Sequence, residues 1–239
     1  MLNLNSKADA SFALAIVFFI VVTEYFFRHY VLFWFPQIGS WRVNDMVSIL
    51  VAYSFLVGIF GSLTAVDWKK ELFGTFNAIS DCLFSWKYIP WVIAMVLNIV
   101  IFSFLDRLLF ANIKLPIYEA AYLNPVVWLP ELTTALKAIS VIVVNGFFVP
   151  VAEEFLWRGV VQPRLGRIFP ISVAISITAI LFSIKHVIID GSFSRFLVAI
   201  GFGVICGILA YRKNWNASAA LHVFINTVSS ITALVMDIK

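Results

Sequence analysis

Four side chains in the second half of the sequence have the types needed for water chemistry: Glu153, His186, His222 and Asn226. A carboxylate such as Glu153 can act as a general base, while a histidine such as His186 helps to hold and polarise a water for attack on a carbonyl. His222 and Asn226 are four residues apart, hence on one helix face, and would offer donors to the developing oxyanion. The same side chains admit a second chemistry. Glu153, His186 and His222 could bind a divalent metal such as zinc in the His₂Glu manner of catalytic sites, with a position left open for water. The sequence holds no HExxH pair, so the common zinc-protease helix is absent.

The elements that must position these groups are set by composition. Apolar residues make up 62% of the 239 positions and charged residues only 13%, and mean hydropathy is +0.97. A soluble domain carries roughly 25% charged residues, so this chain lacks the polar surface to cover a core in water. Its solvent is lipid, and the expected fold is an all-α, polytopic bundle in the cell membrane. The formal charge of +4 is modest, and the basic residues sit in short turns, which reads as topology and excludes a nucleic-acid surface. Cys82 and Cys206 have no CxxC spacing and indicate neither redox compartment nor metal. No cleavage pattern follows the apolar stretch after Lys7, so it reads as an uncleaved first span.

Runs of about 20 apolar residues mark each crossing. We expect about seven: 10–35, 43–66, 89–109, 133–165, 171–189, 196–211 and 215–236. The stretch from Asp67 to Tyr88 mixes Lys69 and Lys70 with Trp68, Phe73, Phe76 and Trp86, the pattern of an interfacial amphipathic segment. Pro116, Pro125 and Pro130 mark a connector, and Pro150 predicts a break or kink in the fourth span. The chain divides at 131/132 into an N-terminal region of about three spans and a C-terminal core of about four. Arg164, Arg167, Arg212 and Lys213 make both late hairpin turns basic, which by the positive-inside rule puts these turns and the N-terminus in the cytoplasm.

Ionisable groups within a bilayer are costly, so each needs a reason. At 1.5 Å per residue, Glu153 lies roughly 20 Å before the first basic turn and His186 roughly 25 Å beyond it. His222 and Asn226 lie roughly 12–18 Å past the second turn, so one membrane layer can hold all four. Glu154 and Arg158 form an i,i+4 pair that neutralises itself. Glu153 and Glu154 project about 100° apart, and Glu153 is assigned to the water and Glu154 to Arg158. Glu24 and Arg28 have the same i,i+4 spacing and read as an interfacial pair without catalytic work. Lys185 is expected on another face from His186, snorkelling or pairing with Asp190. Asn98 and Asn145 read as interhelical hydrogen-bonding groups, Gly203 and Gly207 as a small-xxx-small packing face, and the aromatic stripes as lipid contacts.

The motifs also form a known pattern. Glu153-Glu154-Phe155-Leu156-Trp157-Arg158-Gly159 matches EExxxR followed by Gly; Phe182 to His186 matches FxxxH; His222 to Asn226 matches HxxxN. Their order on successive spans resembles the CAAX protease and bacteriocin-processing family, also called Abi, whose best-known members are type II CAAX prenyl endopeptidases. The resemblance covers residues 135 to 236. It implies a helical membrane peptidase acting on a membrane-associated protein or peptide, with Glu153 activating water, His186 its partner, and His222 and Asn226 on the oxyanion side. The family has been described both as a metalloprotease and as glutamate-type. Asn226 in the fourth position favours the glutamate-type reading, which requires no cofactor.

Two other classes use the same residues. A transporter also places buried Glu and His along an ion or proton path, although no inverted repeat is visible. A non-catalytic membrane scaffold acting through a partner is the third.

Overall fold

The computed structural model describes residues 4–29, 41–110, 113, 136 and 138–237, and these are helical with short turns. The elements are α1 (Leu4–His29), α2 (Trp41–Leu63), α3 (Trp68–Phe84), α4 (Ile89–Phe110), α5 (Ala138–Gly166), α6 (Ile171–Asp190), α7 (Phe196–Arg212) and α8 (Trp215–Asp237). Six of them are long and apolar enough to cross a membrane, and α7 is a shorter apolar helix. The chain is a polytopic all-α membrane bundle, as the composition requires. The connector prolines Pro116, Pro125 and Pro130, the 131/132 division and the start of the fourth span at Thr133 lie outside the described residues.

α5 is the central helix. Its most apolar stretch is 56% buried, against 17% for that of α4 at the periphery. Phe18, Phe104, Leu108 and Phe84 face outward from their helices, as lipid contacts would, whereas Trp157, Phe182 and Phe202 belong to the core.

Proline does not break α5. The helix continues through Pro150 and Pro163 because each proline follows a π-helical stretch, Val141–Phe148 and Phe155–Val161. A proline has no N–H to donate, and its ring clashes with the carbonyl four residues back. Widening the preceding turns to i→i+5 bonding relieves that crowding, as in the bonds from the Val149 N–H to the Val144 carbonyl and from the Gln162 N–H to the Trp157 carbonyl. The carbonyls loosened before Pro150 find partners on α8. Thr227 Oγ1 donates to the Gly146 carbonyl and Asn226 Nδ2 to the Asn145 carbonyl, each at 3.1 Å.

α7 lies close against α6 and α5. Gly203 and Gly207 form the small-residue face: a Cβ on Gly203 would come within 2.8 Å of the Ala179 Cα, and one on Gly207 within 2.8 Å of Ile175. That approach lets two α5 side chains reach the α7 backbone. Arg158 Nη2 donates to the Gly203 carbonyl at 3.2 Å and Gln162 Nε2 to the Gly207 carbonyl at 3.1 Å. Asn98 and Asn145 bridge helices as expected, to the Val198 carbonyl and to Ser230 Oγ, both at 3.1 Å.

The N-terminal end of α1 and both basic turns share one end of the bundle. Asp9 accepts from Arg167 at 3.3 Å, Arg164 stacks over Phe12, and Lys213 lies 4.0 Å from the Tyr88 ring centre. α3 is tied to the same end. Asp67 caps it, and Asn216 of α8 joins Thr75 Oγ1 at 2.7 Å and Glu71 at 2.9 Å. It is a 17-residue helix with Leu72, Phe73, Phe76 and Phe84 exposed, shorter than a span and amphipathic as the sequence predicts. At the opposite end Gly191 closes α6 at φ 61°, a left-handed conformation in which glycine avoids the Cβ penalty.

Gly203→Ala should therefore lower stability by about 1–3 kcal/mol, because the backbone of Ala179 must retreat. Gly58→Ala in α2, where a Cβ meets nothing within 4 Å, should be neutral or stabilising by about 0.5–1 kcal/mol. Thermal unfolding of both variants in detergent checks the pair.

Candidate active site

Inside the bundle lies a cavity of about 780 Å³ walled by α1, α2, α4, α5, α6, α7 and α8, and Glu153, His186, His222 and Asn226 all line it. Glu154 and Arg158 do not. They are fully buried behind the cavity wall, paired through Nη1 and Oε1 at 2.9 Å as their i,i+4 spacing predicts.

Each site group is held by a local device. In α6 the Phe182 carbonyl, one turn before His186, lies 3.1 Å from His186 Nδ1. A carbonyl can only accept, so Nδ1 carries the proton, and Nε2 of the neutral ring keeps its lone pair. The Phe182 ring packs against the same imidazole with centroids 4.6 Å apart, so this phenylalanine fixes His186 twice. In α8 the His222 ring meets the edge of Phe202 at 4.5 Å between centroids. Its Nδ1 lies 3.0 Å from Glu154 Oε1, and its Nε2 lies 3.8 Å from Glu153 Oε2. Glu154 thus does more than balance Arg158. It also orients His222 and accepts from Ser218 Oγ at 2.5 Å.

Glu153 is surrounded in a way the sequence does not anticipate. Its Oε1 accepts from Lys185 Nζ at 2.6 Å and from the Tyr53 hydroxyl at 2.7 Å. Lys185 therefore neither snorkels nor pairs with Asp190. It is only 2% exposed, and its three N–H groups reach Glu153 Oε1, Glu24 Oε2 at 3.1 Å and Tyr53 Oη at 3.2 Å. Five residues along α6 from Lys185, Asp190 faces elsewhere and pairs with Arg195 and, at 4.0 Å, with Arg28. Glu24 is corrected too. Arg28 is 3.7 Å away as its spacing suggests, but Glu24 is buried at 3% exposure and its Oε2 also lies 2.7 Å from the Tyr53 hydroxyl.

Lys185 and Glu24 carried a signal in sequence, since each is an ionisable group within a span and should have a partner in the interior. Tyr53 and Ser218 carried none, because neither stands out in an apolar run. Both cysteines are buried and unbridged. Burial pushes the Cys82 thiol up to about 11, so little thiolate is present at neutral pH and a cysteine nucleophile is not indicated there.

Glu153 Oε1 is engaged by an ammonium and a hydroxyl. Among the described residues no three His, Cys, Asp or Glu side chains converge closely enough to hold an ion.

A buried ion pair broken on one side leaves a bare charge, at a cost of about 3–5 kcal/mol. Arg158→Met should destabilise the protein by that order, and adding Glu154→Gln should recover part of the loss. Denaturation of the detergent-solubilised single and double variants measures both.

Comparison with known proteins matches residues 135–228 to the family model described as type II CAAX prenyl endopeptidase Rce1-like. No curated protein and no solved structure gives a match. The matched segment contains α5, α6, α7 and most of α8, with Glu153, His186, His222 and Asn226 among its residues. The match to residues 135–228 supports membership of the CAAX protease family.

Proposed function

We propose that this protein is an intramembrane endopeptidase in which Glu153 and His186 activate a water, and His222 and Asn226 stabilise the tetrahedral intermediate. The observation that carries the reading is the shared cavity. One carboxylate oxygen, Glu153 Oε2, stays clear of the Lys185–Tyr53 clasp, and two anchored imidazoles and one carboxamide line the same space.

A water between Glu153 Oε2 and His186 Nε2 has an acceptor on each side. Glu153 takes a proton as the water oxygen bonds to the scissile carbonyl carbon, whose π electrons move onto oxygen. The ring of His222 has an acceptor facing each nitrogen, Glu154 at Nδ1 and Glu153 Oε2 toward Nε2. With Nδ1 committed to Glu154, Nε2 is the ring atom left to face the oxyanion. Asn226 commits one N–H to the Asn145 carbonyl and keeps the other for the same oxyanion. Collapse of the intermediate breaks the C–N bond, and the proton held by Glu153 passes to the leaving amine.

The substrate class is a peptide segment of a membrane-associated protein, and the family name makes a prenylated C-terminal tail the first to try. We place the N-terminus and both basic turns in the cytoplasm, on the charge of Arg164, Arg167, Arg212 and Lys213.

Comparing protein termini in membranes of cells expressing wild type or Glu153→Ala at matched levels tests the reading. New termini should appear with the wild type and fall at least about a hundredfold with Glu153→Ala, His186→Ala or His222→Ala, while each variant assembles. Identical sets of termini from wild type and Glu153→Ala would remove the enzyme and return the transporter and scaffold readings.

A further inference from the structure

The proposed water-activating carboxylate is not held by the family segment alone. Of the three groups that form the clasp, Lys185, Tyr53 and Glu24, the last two come from α2 and α1, both outside residues 135–228. We propose that Glu24, Tyr53 and Lys185 are positioning residues for catalysis, Lys185 and Tyr53 clasping Glu153 Oε1 and Glu24 holding both, so that Oε2 is the one atom presented to the cavity; this rests on the proteolytic reading above.

The geometry leaves little freedom. Lys185 has three N–H donors and three acceptors around it, at 2.6, 3.1 and 3.2 Å. The Tyr53 hydroxyl accepts from Lys185 and has a single proton for two carboxylates, each 2.7 Å away. Glu24 Oε2 closes the ring by accepting from Lys185, and it shares the single Tyr53 proton with Glu153 Oε1. Rotation of the Glu153 carboxylate would break two of these bonds at once. A general base must stay within hydrogen-bond reach of the water it deprotonates, and a carboxylate free to rotate spends part of its time out of line. On this account the N-terminal helices are part of the active site, since they supply two of the three groups.

The account also explains why these polar residues lie where none is needed for packing. Tyr53 is fully buried among Ile20, Leu56 and other apolar neighbours, and phenylalanine would fill its space. Only the hydroxyl requires tyrosine.

The test uses the full chain and the peptide whose cleavage separates wild type from Glu153→Ala in membranes. Wild type, Tyr53→Phe, Glu24→Gln, Lys185→Met and Lys185→Arg are purified in detergent, and kcat, KM and thermal midpoint are measured for each. We expect Tyr53→Phe and Glu24→Gln to lower kcat by ~10-fold or more with KM within about twofold and with folded protein recovered. Lys185→Met should fall further, and Lys185→Arg, which keeps the cation, should recover part of the loss. Tyr53→Phe removes one oxygen and preserves the ring, so it decides the matter even where Lys185→Met fails to assemble. Wild-type kcat in both Tyr53→Phe and Glu24→Gln would overturn the proposal, as would losses that follow only the fraction of folded protein. Wild-type cleavage by Glu153→Ala is a different result, since it removes the proteolytic reading itself.

Discussion

Among the described residues three glutamates are buried in the interior of this bundle, and the packing around them follows from keeping their charge compensated. An ionised carboxylate taken out of water is prohibitively costly unless it is paired and hydrogen-bonded. Glu24, Glu153 and Glu154 are met by Arg28, Lys185 and Arg158, so three negative and three positive side chains lie in one connected network. His222 joins its two halves, with Glu154 at one ring nitrogen and Glu153 beyond the other. The helices that contribute to the network are therefore those that must pack together: α1, α2, α5, α6 and α8.

Backbone design serves the same end. α5 carries both central carboxylates and must cross the bilayer with two prolines in it. Its π-helical turns absorb the missing N–H groups, and hydroxyl and amide groups of α8 take up carbonyls near Pro150. The segment that would be weakest in a lone helix thus becomes the seam joining α5 to α8, the two helices bearing Glu153, His222 and Asn226. The glycines of α7 do comparable work on the other side, bringing its carbonyls within reach of Arg158 and Gln162.

The arrangement separates anchoring from chemistry. Each site residue commits one atom to the protein and turns another toward the cavity: Glu153 commits Oε1, His186 and His222 commit Nδ1, and Asn226 commits one N–H. Anchors of this kind allow a site built on helices to hold its geometry without closing over itself.

Short-range features were legible in the sequence because a helix makes them local. Hydropathy marks the spans, since every crossing must satisfy its own backbone. The Glu154–Arg158 pair and the shared face of His222 and Asn226 both rest on i,i+4 spacing, which fixes neighbours within one helix. The cost of charge in lipid marked Glu153, Glu154, Arg158, His186 and His222 as groups with a purpose. What the spacing could not supply was partners from other helices. Glu24 and Lys185 were visible as charges but were matched to the nearest opposite charge along their own helices, Arg28 and Asp190. The buried partners stand 161 and 32 residues away from Lys185 in the chain, and Tyr53 gave no sign at all. Helix periodicity determines which residues share a face; only packing decides which face meets which, because side chains far apart in sequence become neighbours through the burial of the whole bundle.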